Sequence, residues 1–251
     1  MFSGTRGSGA VFFSGCALRC CFCQNMDISA HQKGELCPEE KLVALFLSLQ
    51  DQGAHNINLV TPTPHIAAIR SALIAAKKSG LNIPILYNTS GYEDITALQT
   101  LEGLVDIYLP DFKYVTPKIS KAFSGTEDYF AFAGPAILEM HRQVGTLQMD
   151  ENGIATRGIL IRHLVLPGCI DETRRVLDFI MEALPRDTYI SLMRQYTPSS
   201  FNLKAPLNRP LTAREYERAA DYCLQLGFPN VLLQEASAAT SAYTPPFFDT
   251  L

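Results

Sequence analysis

Apolar positions along this chain switch repeatedly between two periods. Short apolar runs over 9–13, 56–60, 83–87, 105–109, 159–166, 188–193 and 230–233 are bounded by turn residues and read as buried strands. Between them the spacing becomes helical. One helix opens at Pro38-Glu39-Glu40, lines up Leu42, Leu45, Phe46 and Leu49 on one face, and stops at Gly53. Proline and acids suit a first helical turn. A second begins at Thr63-Pro64, carries Ile66, Ile69, Leu73 and Ile74, and stops at Lys77-Lys78-Ser79-Gly80. Basic residues followed by glycine are the expected ending, because they meet the carbonyl end of the helix dipole and release the chain.

Further along, Ser90-Gly91-Tyr92-Glu93 reads as a capping box for a short helix through 101. Helical pieces follow over 118–123 and 128–142, the second broken near Gly134-Pro135. Asp150-Glu151-Asn152-Gly153 signals a hairpin into the strand that Pro167-Gly168 ends. A helix is expected over 171–184, and another from the capping box Thr212-Ala213-Arg214-Glu215 to Gly227. Pro198, Pro206 and Pro210 mark a long loop between them, and Pro245-Pro246 breaks a tail of little regular structure.

Strands that alternate with helices at this spacing form parallel βαβ units. A barrel, closed or partial, suits the count better than a doubly wound sheet. In such barrels the chemistry gathers at the C-terminal strand ends. There is no internal repeat or boundary, so we expect one domain over 1–251, its core about 7–235 and its tail 236–251.

Composition narrows the picture. Of 251 residues, 47% are hydrophobic and 18% charged, enough apolar surface for a sizeable core. The net charge of −4, without a long basic run, argues against nucleic acid as a main partner. Residues 1–9 lack the apolar core of an export signal, and no stretch reaches the length of a membrane span. Seven cysteines, several of them clustered, then point to a reducing cytoplasm and metal chemistry. Gly7-Ser8-Gly9 precedes a strand instead of following one, so it does not read as a phosphate cradle.

The cysteines carry the chemistry. Cys16, Cys20 and Cys23 stand in a C-x-x-x-C-x-x-C array directly after the first strand. Three close thiolates suit three irons of a four-iron cluster and leave one iron open. Zinc is the alternative, with His31 or Cys37 as fourth ligand, although the spacing is not that of paired zinc motifs. Cys21, lying between two ligands, is expected to point away and pack. Cys169 and Cys223 read as structural.

The array, with Phe22 before its third cysteine and Gln24-Asn25 after it, resembles the radical S-adenosylmethionine (SAM) enzymes. Within them it is most similar to pyruvate formate-lyase-activating enzymes and their PflX-type branch. The resemblance runs over about 7–235. It implies an α/β fold, a partial (β/α)6 TIM-like barrel with a short extra C-terminal helix and strand. It also implies a single [4Fe-4S] cluster on Cys16, Cys20 and Cys23, with SAM on the open iron. The activity implied is that of an oxidoreductase: reductive SAM cleavage to a 5′-deoxyadenosyl radical, then hydrogen abstraction. A glycyl-radical enzyme as protein substrate and a low-potential electron donor such as flavodoxin or ferredoxin follow as implied partners.

Other residues match by position. Asp111-Phe112-Lys113, after the fourth strand, is similar to the D-x-K element that lies near bound SAM in activating enzymes, the alternative being a solvated loop pair. Arg162 shares a strand face with Leu160 and Leu164, where a charge needs a partner. The resemblance of Arg162 through Pro167-Gly168 to a family element suggests the SAM carboxylate; a salt bridge to a barrel acid such as Asp111 is the other reading. His163, of opposite parity, reads as a packing histidine. Asn88 and Ser90, in an element similar to the family's T-N-G, would meet the methionine or ribose part, with helix capping as the alternative for Ser90. Phe22 would help seat the adenine.

One departure stands out. Thr61-Pro62-Thr63-Pro64 occupies the place of the family's Gly-Gly-Glu element, leaving Thr61 or backbone carbonyls to meet the SAM amino group and Thr63 to cap a helix. Arg194, Gln195, Tyr196, Gln234 and Glu235 are candidates for the mouth at later strands. Two other functions fit the same residues: a radical SAM enzyme acting on a small molecule or RNA, and a non-catalytic iron–sulfur electron-transfer or interaction module.

Overall fold

The structure is a computed structural model that describes residues 1–198 and 203–235. It begins with β1 (Gly9–Phe12), a short α1 (Met26–Ser29) inside the cysteine loop, and α2 (Glu39–Asp51). Next come β2 (Ile57–Val60), a 3-10 turn over Thr63–His65, α3 (Ile66–Lys78), β3 (Ile85–Thr89), α4 (Ile95–Gln99) and β4 (Ile107–Pro110). The second half holds α5 (Pro117–Ser124), α6 (Tyr129–Val144), β5 (Gln148–Met149), β6 (Ala155–Leu164), α7 (Ile170–Ala183), β7 (Tyr189–Met193), α8 (Ala213–Gln225) and β8 (Val231–Leu233).

The strands pair in the order β1-β2-β3-β4-β6-β7-β8, every neighbour parallel, while β5 pairs antiparallel with β6. Among the described residues β1 and β8 do not join, so the sheet is a partial barrel, as expected, with α8 and β8 as the added C-terminal pair. Both faces of the strands are buried. Ile57, Leu59, Ile85, Tyr87, Tyr108, Ile159 and Ile161 pack toward the helices. Leu86, Ile107, Leu109 and Leu160 form a separate cluster on the inner face. That two-sided burial is why these strands read as continuous apolar runs. Met1 and Phe2 pack on the inner cluster, tied by Ala155 N to Met1 O (2.8 Å) and Asn56 Nδ2 to Phe2 O (2.8 Å).

Several local expectations change. The 90–93 capping box does not form: Asp94 is the N-cap of α4 and accepts from Ala97 N. Glu93 is instead buried, bound to Thr63, Thr89 and Tyr87. The α6 helix runs unbroken through Gly134-Pro135. Pro135 lies on its exposed side, while Ala133, Gly134, Ala136 and Ile137 are buried. A Cβ on Gly134 would stand 3.4 Å from Phe179 Cζ, so packing against α7 outweighs the lost hydrogen bond. Leu45, expected on the apolar face of α2, is exposed. Strands β3 and β4 each lie about two residues later than their apolar runs suggested. The hairpin at 150–153 and the Thr212–Glu215 capping box form as expected. The tail over 236–251 lies outside the described residues. Among the described residues no helix is long and apolar enough to cross a membrane.

Candidate radical SAM active site

The loop after β1 is pinned at three places. Gly15, with φ +92°, donates its N–H to Ile28 O at 2.7 Å and closes the loop on α1. Arg19 N bonds Ser124 O at 3.0 Å, and Cys21 N bonds Phe123 O at 2.9 Å, which docks the loop on the end of α5. Buried Leu18 and Phe22 anchor it from beneath. The Sγ atoms of Cys20 and Cys23 meet the hydroxyls of Ser124 (3.0 Å) and Ser29 (3.2 Å). Burial pushes the Cys20 thiol up to about 11, although nearby Lys113 pulls it down, and burial raises Cys16 as well. No cysteine forms a disulfide. Cys21 is partly buried against the core and is not among the residues lining the cleft described next.

Parity places the polar side chains. An isolated bridge between Asp111 and Arg162 continues the β4–β6 pairing just past the end of β4. Lys113 Nζ lies 2.6 Å from Asp111 Oδ2, and Arg162 Nη2 lies 2.7 Å from Asp111 Oδ1. The same Nη2 donates to Asn88 Oδ1 at 2.7 Å. Burial alone would raise the Asp111 carboxyl, but Arg162 and Lys113 outweigh it and hold it below the ordinary range. Two cations against one carboxylate leave one positive charge over. Arg162 Nε is buried without a hydrogen-bond partner.

Cys20, Cys23, Phe22, Asp111, Lys113 and Arg162 face one cleft of about 220 Å3, with Gln195 and Tyr196 on its far wall. Phe22 meets Tyr196 edge-on at 6.0 Å. Asn88 reaches the group through Arg162, while Ser90 is not among the lining residues; its carbonyl accepts the Tyr129 hydroxyl at 2.8 Å. That hydroxyl also meets Asp111 O (2.8 Å) and accepts Lys113 N (3.0 Å), holding the β3 and β4 loops together. His163 packs as its parity suggested. Its Nδ1 donates to Phe112 O (2.7 Å), its Nε2 accepts from Thr173 (2.9 Å), and burial pushes it down to about 4. Arg194 stacks on the Tyr216 ring, Gln234 braces Gln195 at 3.2 Å, and Glu235 is exposed.

A family model of the radical SAM superfamily matches residues 10–180, more than half of the chain. This protein belongs to the radical SAM superfamily. An uncharacterized protein of Methanocaldococcus jannaschii, MJ0674, is 31% identical over 224 residues, covering 85% of this chain and 61% of that protein. The chain therefore spans less than two thirds of that relative. The fold is similar to Streptococcus suis SuiB bound to its precursor peptide SuiA, with TM-score 0.62 at 15% identity over 91% of this chain and 48% of SuiB. It is also similar to anSMEcpe with bound AdoMet, with TM-score 0.57 at 13% identity over 90% of this chain and 64% of that one.

Radical SAM enzymes use a [4Fe-4S] cluster and SAM, and the residues here fit both. Cys20 feels the charge of both Cys16 and Cys23, and Cys16 feels that of Cys23, so the three thiols share one locality. Among the described residues no three His, Cys, Asp or Glu side chains are set to hold a single metal ion. Ligands of separate irons in a cluster need not converge on one point. His31 and Cys37 are exposed, and His31 pairs with Asp27. The spare positive charge and the orphaned Nε of Arg162 suit a carboxylate.

Ser124, Tyr114 and Tyr129 carry no local sequence signal, because their roles arise from contacts across elements. Thr63 does not cap: its hydroxyl donates to Glu93 at 2.5 Å. Thr61 adopts φ +57°, rare for a β-branched residue, and its N–H bonds Asn88 O at 2.9 Å.

Proposed function

We propose that Cys16, Cys20 and Cys23 bind the cluster and that Lys113 and Arg162, with Asp111 between them, receive the SAM carboxylate. The observation that carries this reading is the shared cleft: two of the three thiols open onto the same space as an ion group with one positive charge in excess. When bound, the cluster and SAM supply a one-electron cleavage that yields a 5′-deoxyadenosyl radical. The chain supplies position. Asp111 keeps both cations charged and aimed, and Asn88 fixes the guanidinium plane through its contact with Nη2. Leu164, Met193, Phe22 and Tyr196 give the cleft an apolar wall that limits water. Phe22 is the adenine contact of this proposal. The left-handed backbone at Thr61 supplies the acceptor for the amino group; strained backbone of this kind clusters at ligand clamps.

The reaction we favour is hydrogen abstraction from a protein or peptide, including glycyl-radical formation on a partner enzyme fed by a flavodoxin or ferredoxin. Support comes from the resemblance to activating enzymes and from a structural neighbour that binds a precursor peptide. The test is anaerobic reconstitution with iron and sulfide, reduction, and assay for 5′-deoxyadenosine. Each of Cys16→Ala, Cys20→Ala and Cys23→Ala is expected to abolish release, whereas Cys21→Ala retains it. A fully formed cluster that binds SAM without cleaving it would sink the proposal. A glycyl-radical signal on an added partner would support the protein-substrate reading, and turnover of a small molecule instead would replace it.

A further inference from the structure

Behind Cys20 lies a buried chain of hydroxyls that the reaction above does not use. Tyr114 OH stands 3.0 Å from Ser124 Oγ, and Ser124 Oγ stands 3.0 Å from Cys20 Sγ. Tyr114 and Ser124 are each only 1% exposed. The geometry points to Ser124 as a positioning residue that sets the reduction potential of the cluster, with Tyr114 acting through it. This inference rests on the reading of Cys20 as an iron ligand.

The direction of the hydrogen bonds follows from proton count. A thiolate bound to iron carries no proton and can only accept. Ser124 has one hydroxyl hydrogen, which therefore goes to Cys20 Sγ, and its oxygen is left to accept the Tyr114 hydroxyl. The relay runs from Tyr114 to Ser124 to sulfur. Each part is held in place. Ser124 ends α5 ahead of Gly125 at φ +82°, and its carbonyl accepts Arg19 N from the cysteine loop. Hydroxyl and carbonyl thus grip the same loop. The Tyr114 ring is wedged edge-on between Phe123 (6.2 Å) and Tyr129 (5.4 Å).

Reduction adds one electron to the cluster, and part of its charge falls on the ligand sulfurs. A hydrogen bond to sulfur stabilises that charge more than it stabilises the oxidised form, so it raises the potential. Away from water the effect is larger, and a donor polarised by a second hydroxyl is stronger. Ser29 makes a comparable contact with Cys23, but it sits on α1 within the cysteine loop itself. Its removal would disturb the loop, which makes Ser124 the cleaner test.

The experiment is a redox titration of the reconstituted protein followed by electron paramagnetic resonance. Ser124→Ala is expected to lower the midpoint. At a fixed applied potential near the wild-type midpoint, the reduced-to-oxidised ratio falls about tenfold, equivalent to about 59 mV for a one-electron couple. Ser124→Thr keeps the hydroxyl and restores most of the potential. Tyr114→Phe shifts it the same way but less, and the double variant matches Ser124→Ala, because Tyr114 acts only through Ser124. A Ser124→Ala protein with a full cluster and an unmoved midpoint overturns the inference while leaving the cluster reading intact. Wild-type protein that assembles no cluster overturns both. If Ser124→Ala fails to hold a cluster, Tyr114→Phe decides, and an unmoved midpoint there is again a refutation.

Discussion

Glu93 is buried under the ends of β2 and β3, 1% exposed, with the hydroxyls of Thr63, Thr89 and Tyr87 around its carboxyl. Burial pushes it from an ordinary 4.5 up to about 7, against the pull of those three hydrogen bonds. The consequence for stability has a definite sign. Between pH 4.5 and 7 the folded chain holds a proton that the unfolded chain has released. Stability from this group is therefore full below pH 4.5 and is lost as pH rises through 7. At about 1.4 kcal/mol per pH unit, the loss approaches roughly 3 kcal/mol, of which about 2–3 falls between pH 5 and 8. For a chain of this size that amounts to roughly 5–10 °C in Tm. Glu93→Gln removes the titration and leaves an amide oxygen for Thr63 and Thr89. Thermal unfolding of both proteins, free of cluster, between pH 5 and 8 should show the variant gaining about that much on the wild type as pH rises. A difference in Tm that is flat with pH would show that Glu93 ionises normally, and a difference of opposite slope would show that its hydrogen bonds favour the charged form.

Two further outcomes follow from the strand ends. Arg162→Lys keeps a charge but loses the planar guanidinium whose Nη2 meets Asp111 and Asn88 together and whose Nε is left free for a carboxylate, so SAM should bind tenfold to a hundredfold more weakly, about 1.5–3 kcal/mol, by calorimetry on cluster-loaded protein. Unchanged affinity would remove Arg162 from the site. Gly91→Ala would place a Cβ 2.3 Å from Asp111 O at a backbone φ of +80°, costing at least about 2 kcal/mol of stability. An unaltered melting curve would show that the β3 and β4 loops can separate freely.

Much of the fold was legible because its signals are local. The apolar runs located the strands of the parallel sheet, and Arg162 was placed on the inner face with Leu160 and Leu164 by alternation alone. The cysteine spacing marked the loop proposed to hold the cluster, because Cys16, Cys20 and Cys23 fall within eight residues and need no other element to declare themselves. Local rules failed where a distant contact was stronger. Glu93 had the spacing of a cap, yet Thr63 in the turn after β2 and Tyr87 and Thr89 on β3 drew it inward. Pro135 had the signature of a helix break, yet burial of its small neighbours carried α6 through it.

The sequence by itself determined the βαβ order, the thiol array and the opposite parities of Arg162 and His163, since these depend on residues near one another in the chain. Tertiary structure alone showed that Arg162 pairs with Asp111 and that a neighbouring Lys113 leaves this three-residue group with one positive charge in excess. It also brought Ser124 to Cys20, 104 residues away. Hydrogen bonds and ion pairs act over a few ångströms, so partners far apart in sequence come within reach only once the chain has folded.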